Sequence, residues 1–183
     1  MLRPEIFFPL LAAVGLWGCQ QQQLPSTTSG KVRVECDESV FPVLKLLKED
    51  FERTYKDASV DIRSAEARSA IADFIDDSVR VIVCARSFNA EERAVIKAAG
   101  IEYQEYKIAL DAVAVIGHRD NALKQLRVGQ LDSIFSGSVT RWPGKPKSTI
   151  EIAVGGANTS INEVFRNVIL KGRPFSPSAI PFP

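Results

Sequence analysis

The sequence predicts an α/β protein of small, mostly parallel sheets flanked by helices and shared between two lobes. Three observations predict it. Strand-like and helix-like segments alternate three times between Val32 and Ala99, a long apolar stretch from Ile108 to Ile116 leads directly to no helix, and a further strand and helix follow around the glycine-rich turn at Gly155-Gly156. Strands that alternate with helices pair in parallel through right-handed crossovers. A long extended stretch can carry the chain from one lobe to another.

The first unit organises the rest. Val32-Arg33-Val34-Glu35 reads as a strand and Cys36-Asp37-Glu38-Ser39 as a polar turn. Phe41, Leu44, Leu47, Phe51 and Tyr55 then recur every three or four residues, which puts them on one helical face that seeks a sheet. Ser39 is the expected N-cap, and Pro42 is tolerated in a first turn because its missing N–H breaks no intrahelical bond. Such a turn presents free backbone N–H groups to a ligand, although a purely structural βα unit has the same pattern.

Ser59 to Arg63 alternates as a strand, and Ala65 to Asp77 carries Ala67, Ile71, Phe74 and Ile75 at helical spacing. Val79 to Cys84 is an apolar, β-branched run of the kind found in buried parallel strands. Asn89 and Glu92 form a capping box for a helix over Ala90 to Ala99, closed by Gly100. Beyond the crossover, Val128 to Phe135 reads as a short helix and Thr149 to Val154 as a strand. Ser160 with Glu163 is the capping signal of a helix whose apolar face is Ile161, Val164, Phe165, Val168 and Ile169. Asp111 is the polar exception in the crossover, so it marks a strand break or a site.

The chain has 183 residues, 45% apolar and 25% charged, enough for one globular body or two small lobes. Lys+Arg 23 against Asp+Glu 22 leaves a net charge of +1, so bulk electrostatics favours neither nucleic acid nor an acidic membrane surface as partner.

Residues 1–18 read as a signal peptide, with an apolar core from Ile6 to Trp17 too short to span a bilayer permanently. The ending Leu16-Trp17-Gly18-Cys19 is similar to the lipobox of bacterial lipoproteins, and residues 19–30, rich in Gln, Ser and Thr, make a flexible linker. The expectation is an exported, periplasmic protein, lipid-anchored to the membrane through Cys19. Cys36 and Cys84 remain, and for them a disulfide and two buried free thiols are both open.

No phosphate-cradling lysine loop, nucleophile elbow or clustered His/Cys spacing occurs, and the only histidine, His118, falls in a turn. An enzyme would need a nucleophile with a base in reach, and none is offered. No metal and no cofactor are predicted.

Several stretches together resemble the substrate-binding proteins of phosphate ABC transporters, of the periplasmic-binding-protein type II fold. They are Cys36-Asp37-Glu38-Ser39-Val40-Phe41-Pro42, Val81 to Arg86 with Asn89 to Glu92, Ile108 to Ile116, Leu131 to Gly137 with Trp142, and Asn158 to Phe165. The resemblance implies a first lobe over 31–107, a second over 108–170 and a Pro-rich tail over 171–183. It implies a ligand, phosphate or a related oxyanion, held in the cleft between lobes by Asp37, Glu38, Ser39, Ala65, Arg86, Asn158, Thr159 and Ser160, and delivery to an ABC permease. The chain departs from the family at the anion loops. Cys36, Asp37 and Glu38 stand where Gly-Ser-Thr-like residues are common, and Gly155 stands where an arginine would help neutralise an anion. A divergent interaction or scaffold protein of the same fold, without small-molecule transport, is therefore the alternative.

Overall fold

A central parallel strand places everything else. The computed structural model describes residues 26–121, 123, 125–143 and 145–182. Strand β1 (Gly30–Asp37) lies between β2 (Ala58–Ala65) and β3 (Ile82–Val83), and both pairings are parallel. Gly30 is in register with Ala58 and Asp37 with Ala65, so the two long strands end level at one edge of the sheet. The β3 ladder is shorter than the Val79–Cys84 run predicts, although Glu35 N–H also donates to Val81 O at 3.1 Å.

Helices α1 (Phe41–Thr54) and α2 (Ala67–Ile75) make the crossovers, and α3 (Ala90–Ala98) follows β3. The predicted capping box opens α3: Glu92 N–H donates to Asn89 Oδ1 at 2.9 Å and Asn89 N–H to Glu92 Oε2 at 2.8 Å. At α1 the expectation needs correction. Val40, not Ser39, is the N-cap, with Pro42 in the first turn, because the Ser39 N–H and hydroxyl both turn to Asp37. Phe41, Leu44 and Phe51 are half-buried, but Leu47 is 55% exposed and no residue of α1 is fully buried.

The core of this lobe is Ile71, Phe88 and Ile96, flanked by Phe74, Ile75, Ile82, Cys84 and Ile101. Phe74 stacks on Phe88 with ring centroids 5.9 Å apart, and Tyr103 meets the edge of Phe88 at 5.1 Å. Past Tyr103 the predicted crossover strand finds no ladder among the described residues: Ile108, Leu110 and Ile116 are 68%, 85% and 91% exposed.

The second lobe contains α4 (Val128–Phe135), β4 (Arg141–Trp142), β5 (Lys145–Thr149), β6 (Ala153–Val154), α5 (Ser160–Val168) and β7 (Ile180–Pro181). The strand expected over Thr149 to Val154 is split, since β5 pairs antiparallel with β4 while β6 pairs in parallel with β7. Ile134, Ile150 and Ile152 form its core, and Phe165 packs between Phe135 and Phe175. The Pro-rich segment folds back onto this lobe: Ser176 N–H donates to Phe135 O at 2.7 Å, and β7 is a short edge strand that tolerates proline. Gly137, at φ +83°, permits that return, because a Cβ there would lie 2.6 Å from Ser176 Oγ.

The expected signal peptide over 1–18, Cys19 and residues 20–25 of the expected linker lie outside the described residues.

Candidate functional site

In parallel α/β sheets, ligands are received beyond the carboxyl ends of the strands. At that edge β1 ends in Asp37, whose side chain is completely buried. Its carboxylate gathers donors from three segments. Oδ1 accepts the Ser39 N–H and Ser39 hydroxyl, each at 2.9 Å. Oδ2 accepts the Ala85 N–H, just past β3, at 3.4 Å, and the hydroxyl of Ser160, the first residue of α5.

Beside it, both oxygens of Glu38 are shielded from solvent and find no hydrogen-bond partner among the described residues. Burial, reinforced by the negative charges of Asp37 and Glu66, pushes the Glu38 carboxyl above its ordinary value. Glu66, one residue past β2, accepts from Asn158 Nδ2 at 3.0 Å, and the Arg68 N–H in the first turn of α2 donates to Asn158 O at 3.3 Å. Gly156 makes this approach of the loops feasible: a Cβ there would come within 3.0 Å of Glu66 Oε1.

Arg86 is nearly inaccessible, with 5% of its side chain exposed. Nη1 and Nη2 fork onto the two Glu92 oxygens, both at 2.8 Å, and Nε lies 2.8 Å from Glu163 Oε2 on α5. Burial opposes ionisation of Glu92, but the Arg86 fork and the Asn89 N–H outweigh it and hold the carboxyl below its ordinary value. Arg86 thus faces two carboxylates rather than open space.

Of the expected residues, Asp37, Ser39 and Ser160 are brought into direct contact, with Glu38 next to them. Ala65 closes β2 at the same edge and contributes no polar side chain. Thr159 rather than Ser160 caps α5, accepting from Asn162 N–H at 3.4 Å and donating to Gly156 O at 2.8 Å. A small pocket of about 60 Å³ adjoins the cluster, lined by Ala85, Asp111, Ala112, Val113, Ser160, Ile161 and Val164, so Asp111 borders it. Glu66, Glu92 and Glu163 were not among the expected site residues. Glu92 and Glu163 carried only capping signals, and their reach to Arg86 is a tertiary fact.

Cys36 and Cys84 are free thiols. Cys36 is in register with Val83, so Cys84, the next residue, falls on the opposite face of the sheet, which works against a bridge. Burial first, then the charge of Asp37, pushes the Cys84 thiol up to about 12. His118 is exposed, and among the described residues no group of three or more His, Cys, Asp or Glu side chains is arranged to hold a metal ion.

The family model described as the PBP superfamily domain matches residues 21–179. The chain is 30% identical over 114 residues to the phosphate-binding protein PstS of Staphylococcus epidermidis, an alignment covering 62% of this chain and 35% of that protein. It thus spans about a third of the length of the curated relative. Among solved structures it is similar to a chain assigned as a phosphate ABC transporter substrate-binding protein, with bound phosphate, from Clostridium perfringens. That match has TM-score 0.73 and 23% identity, covering 83% of this chain and 61% of the other. It is also similar to an ABC-type phosphate transport receptor from Vibrio cholerae, with TM-score 0.65 and 17% identity, covering 84% and 63%. At these identities the structural likeness establishes the fold.

Proposed function

Because this chain belongs to the PBP superfamily domain family, we propose that it is a solute-binding protein of an ABC-type uptake system whose ligand is an oxyanion, with phosphate the first candidate. The ligand is received where the two lobes meet and passed to an ABC permease, and Cys19 carries the lipid that holds the exported protein to the membrane. The observation that carries this reading is the convergence of donors on one point, from Ser39, Ala85 and Ser160, across three segments. Backbone N–H groups at strand ends and helix starts are suited to anion oxygens. The relatives named for phosphate supply the choice of oxyanion.

A second reading, an interaction protein of the same fold without transport, is favoured by one feature: protein acceptors already occupy these donors, with Glu38 and Glu66 nearby and Arg86 neutralised. Thermal unfolding with and without phosphate separates the two. A ligand at 100 times its Kd adds about 2.7 kcal/mol of stability. A shift with phosphate or sulfate supports the first reading, and a folded protein unmoved by either at millimolar concentration favours the second.

A further inference from the structure

Asp37 does inside the protein what a bound anion would do. Its two oxygens take donors from the turn before α1, from the turn after β3 and from α5, so one carboxylate joins both lobes. The residue is fully buried, and its oxygens are acceptors of the same kind as those of an oxyanion. A second set of contacts repeats the pattern, with the Arg68 N–H of α2 held by a protein carbonyl, that of Asn158. Arg86, next in sequence to Ala85, gives an incoming anion little attraction, since it is held by Glu92 and Glu163.

We propose that the Asp37 carboxylate is a built-in occupant of the anion position, so that an external oxyanion binds only by displacing it. This rests on the oxyanion reading above and adds a control on that site. The small pocket lined by Ala85 and Ser160 shares two segments with the Asp37 cradle and is the space toward which an entering anion and a displaced carboxylate compete. Glu38 and Glu66 repel an entering anion, so affinity in the unaltered protein is set low.

The test compares the unaltered chain with Asp37→Ser, which vacates the position, and Asp37→Asn, which keeps the size and serves as the second variant should the serine variant not fold. Phosphate affinity is measured by calorimetry, and hydrogen exchange is followed at the Ser39 and Ala85 amides. The expected result is phosphate binding tightened about tenfold or more in Asp37→Ser, equivalent to about 1.4 kcal/mol, and tightened less in Asp37→Asn. The two amides are protected in the unaltered protein without phosphate, lose protection in Asp37→Ser and regain it with phosphate. If the unaltered protein binds phosphate and both substitutions leave affinity unchanged or weaken it, Asp37 is not the occupant, while the oxyanion reading stands. If neither the unaltered protein nor either variant binds phosphate while folded, the proposal and the oxyanion reading fall together.

Discussion

Arg86 and Glu163 stand 2.8 Å apart, one on the turn after β3 and the other on α5, and the rest of the Arg86 guanidinium is forked onto Glu92. The buried cation therefore fastens the second lobe to the first. Asn89 Nδ2 adds a longer contact to Glu163 at 3.4 Å.

The first prediction follows from that fastening. Arg86→Ala leaves Glu92 and Glu163 facing each other without compensation and should cost about 3–5 kcal/mol in urea unfolding, the scale for breaking a buried pair. Glu163→Gln keeps the shape and should cost less. A loss below about 1 kcal/mol for Arg86→Ala, accompanied by weakened phosphate binding, would instead make Arg86 a ligand residue.

Glu38 and Glu92 give pH dependences of opposite sign. The folded pKa of Glu92 is depressed, so its stabilising effect is present above the unfolded value and is lost as pH falls through the folded value. The folded pKa of Glu38 is raised, so its contribution is present below the unfolded value, ordinarily 4.5, and is lost as pH rises through the folded value. Glu38→Gln should therefore raise the urea midpoint at neutral pH and change it little below pH 4.5. A lower midpoint at neutral pH would contradict this account of the buried carboxyl.

Apolar exposure should be measurable. Ile108, Leu110 and Ile116 on the crossover, with Val43, Leu46 and Leu47 on α1, present side chains to solvent. The chain should bind a hydrophobic dye in its folded state. Leu110→Lys should reduce that binding and alter stability by no more than about 0.5 kcal/mol, as exposed substitutions do. Destabilisation above about 2 kcal/mol would show that Leu110 is packed.

The thiols supply a further check. Cys36 is buried and the Cys84 thiol is pushed up to about 12, so both should react slowly with a disulfide reagent in the folded protein and promptly once unfolded. Air oxidation should not produce a faster-migrating, bridged form on a non-reducing gel. Formation of that form would show that the strand ends rearrange enough to bring the two sulfurs together.

Anchoring is tested at Cys19. Cys19→Ala should abolish acyl labelling, and labelling that persists would remove Cys19 as the anchor.

What the sequence made legible was local. Asn89 and Glu92 announced the start of α3 through a four-residue pattern, α4 was read with its observed bounds of Val128 and Phe135, and Pro42 marked the opening of α1. Cap assignment slipped by one residue at both Ser39 and Ser160, because neighbouring residues can close either helix and only the buried Asp37 decides where the two hydroxyls turn. Partnerships between distant residues were not legible. Glu66 and Asn158 lie 92 positions apart, and nothing in either local pattern announces their contact. Arg86 read as a cation for a ligand because its two carboxylate partners come from helix starts, where acidic residues are expected for capping alone. The crossover strand was misjudged for a different reason. Apolar, β-branched sequence specifies an extended chain, but a ladder also requires a neighbour, and the described residues provide none for Ile108 to Ile116.

The central claim is that an oxyanion is received by the donors gathered at Ser39, Ala85 and Ser160. Titrating phosphate to millimolar concentration into the isotopically labelled chain, and following backbone amide shifts, tests it directly. The account predicts saturable shifts at Ser39, Ala85, Ser160 and Ile161, larger at lower phosphate in Asp37→Ser than in the unaltered protein. Folded spectra that do not change at these amides in either protein, or that shift only elsewhere on the chain, would contradict it.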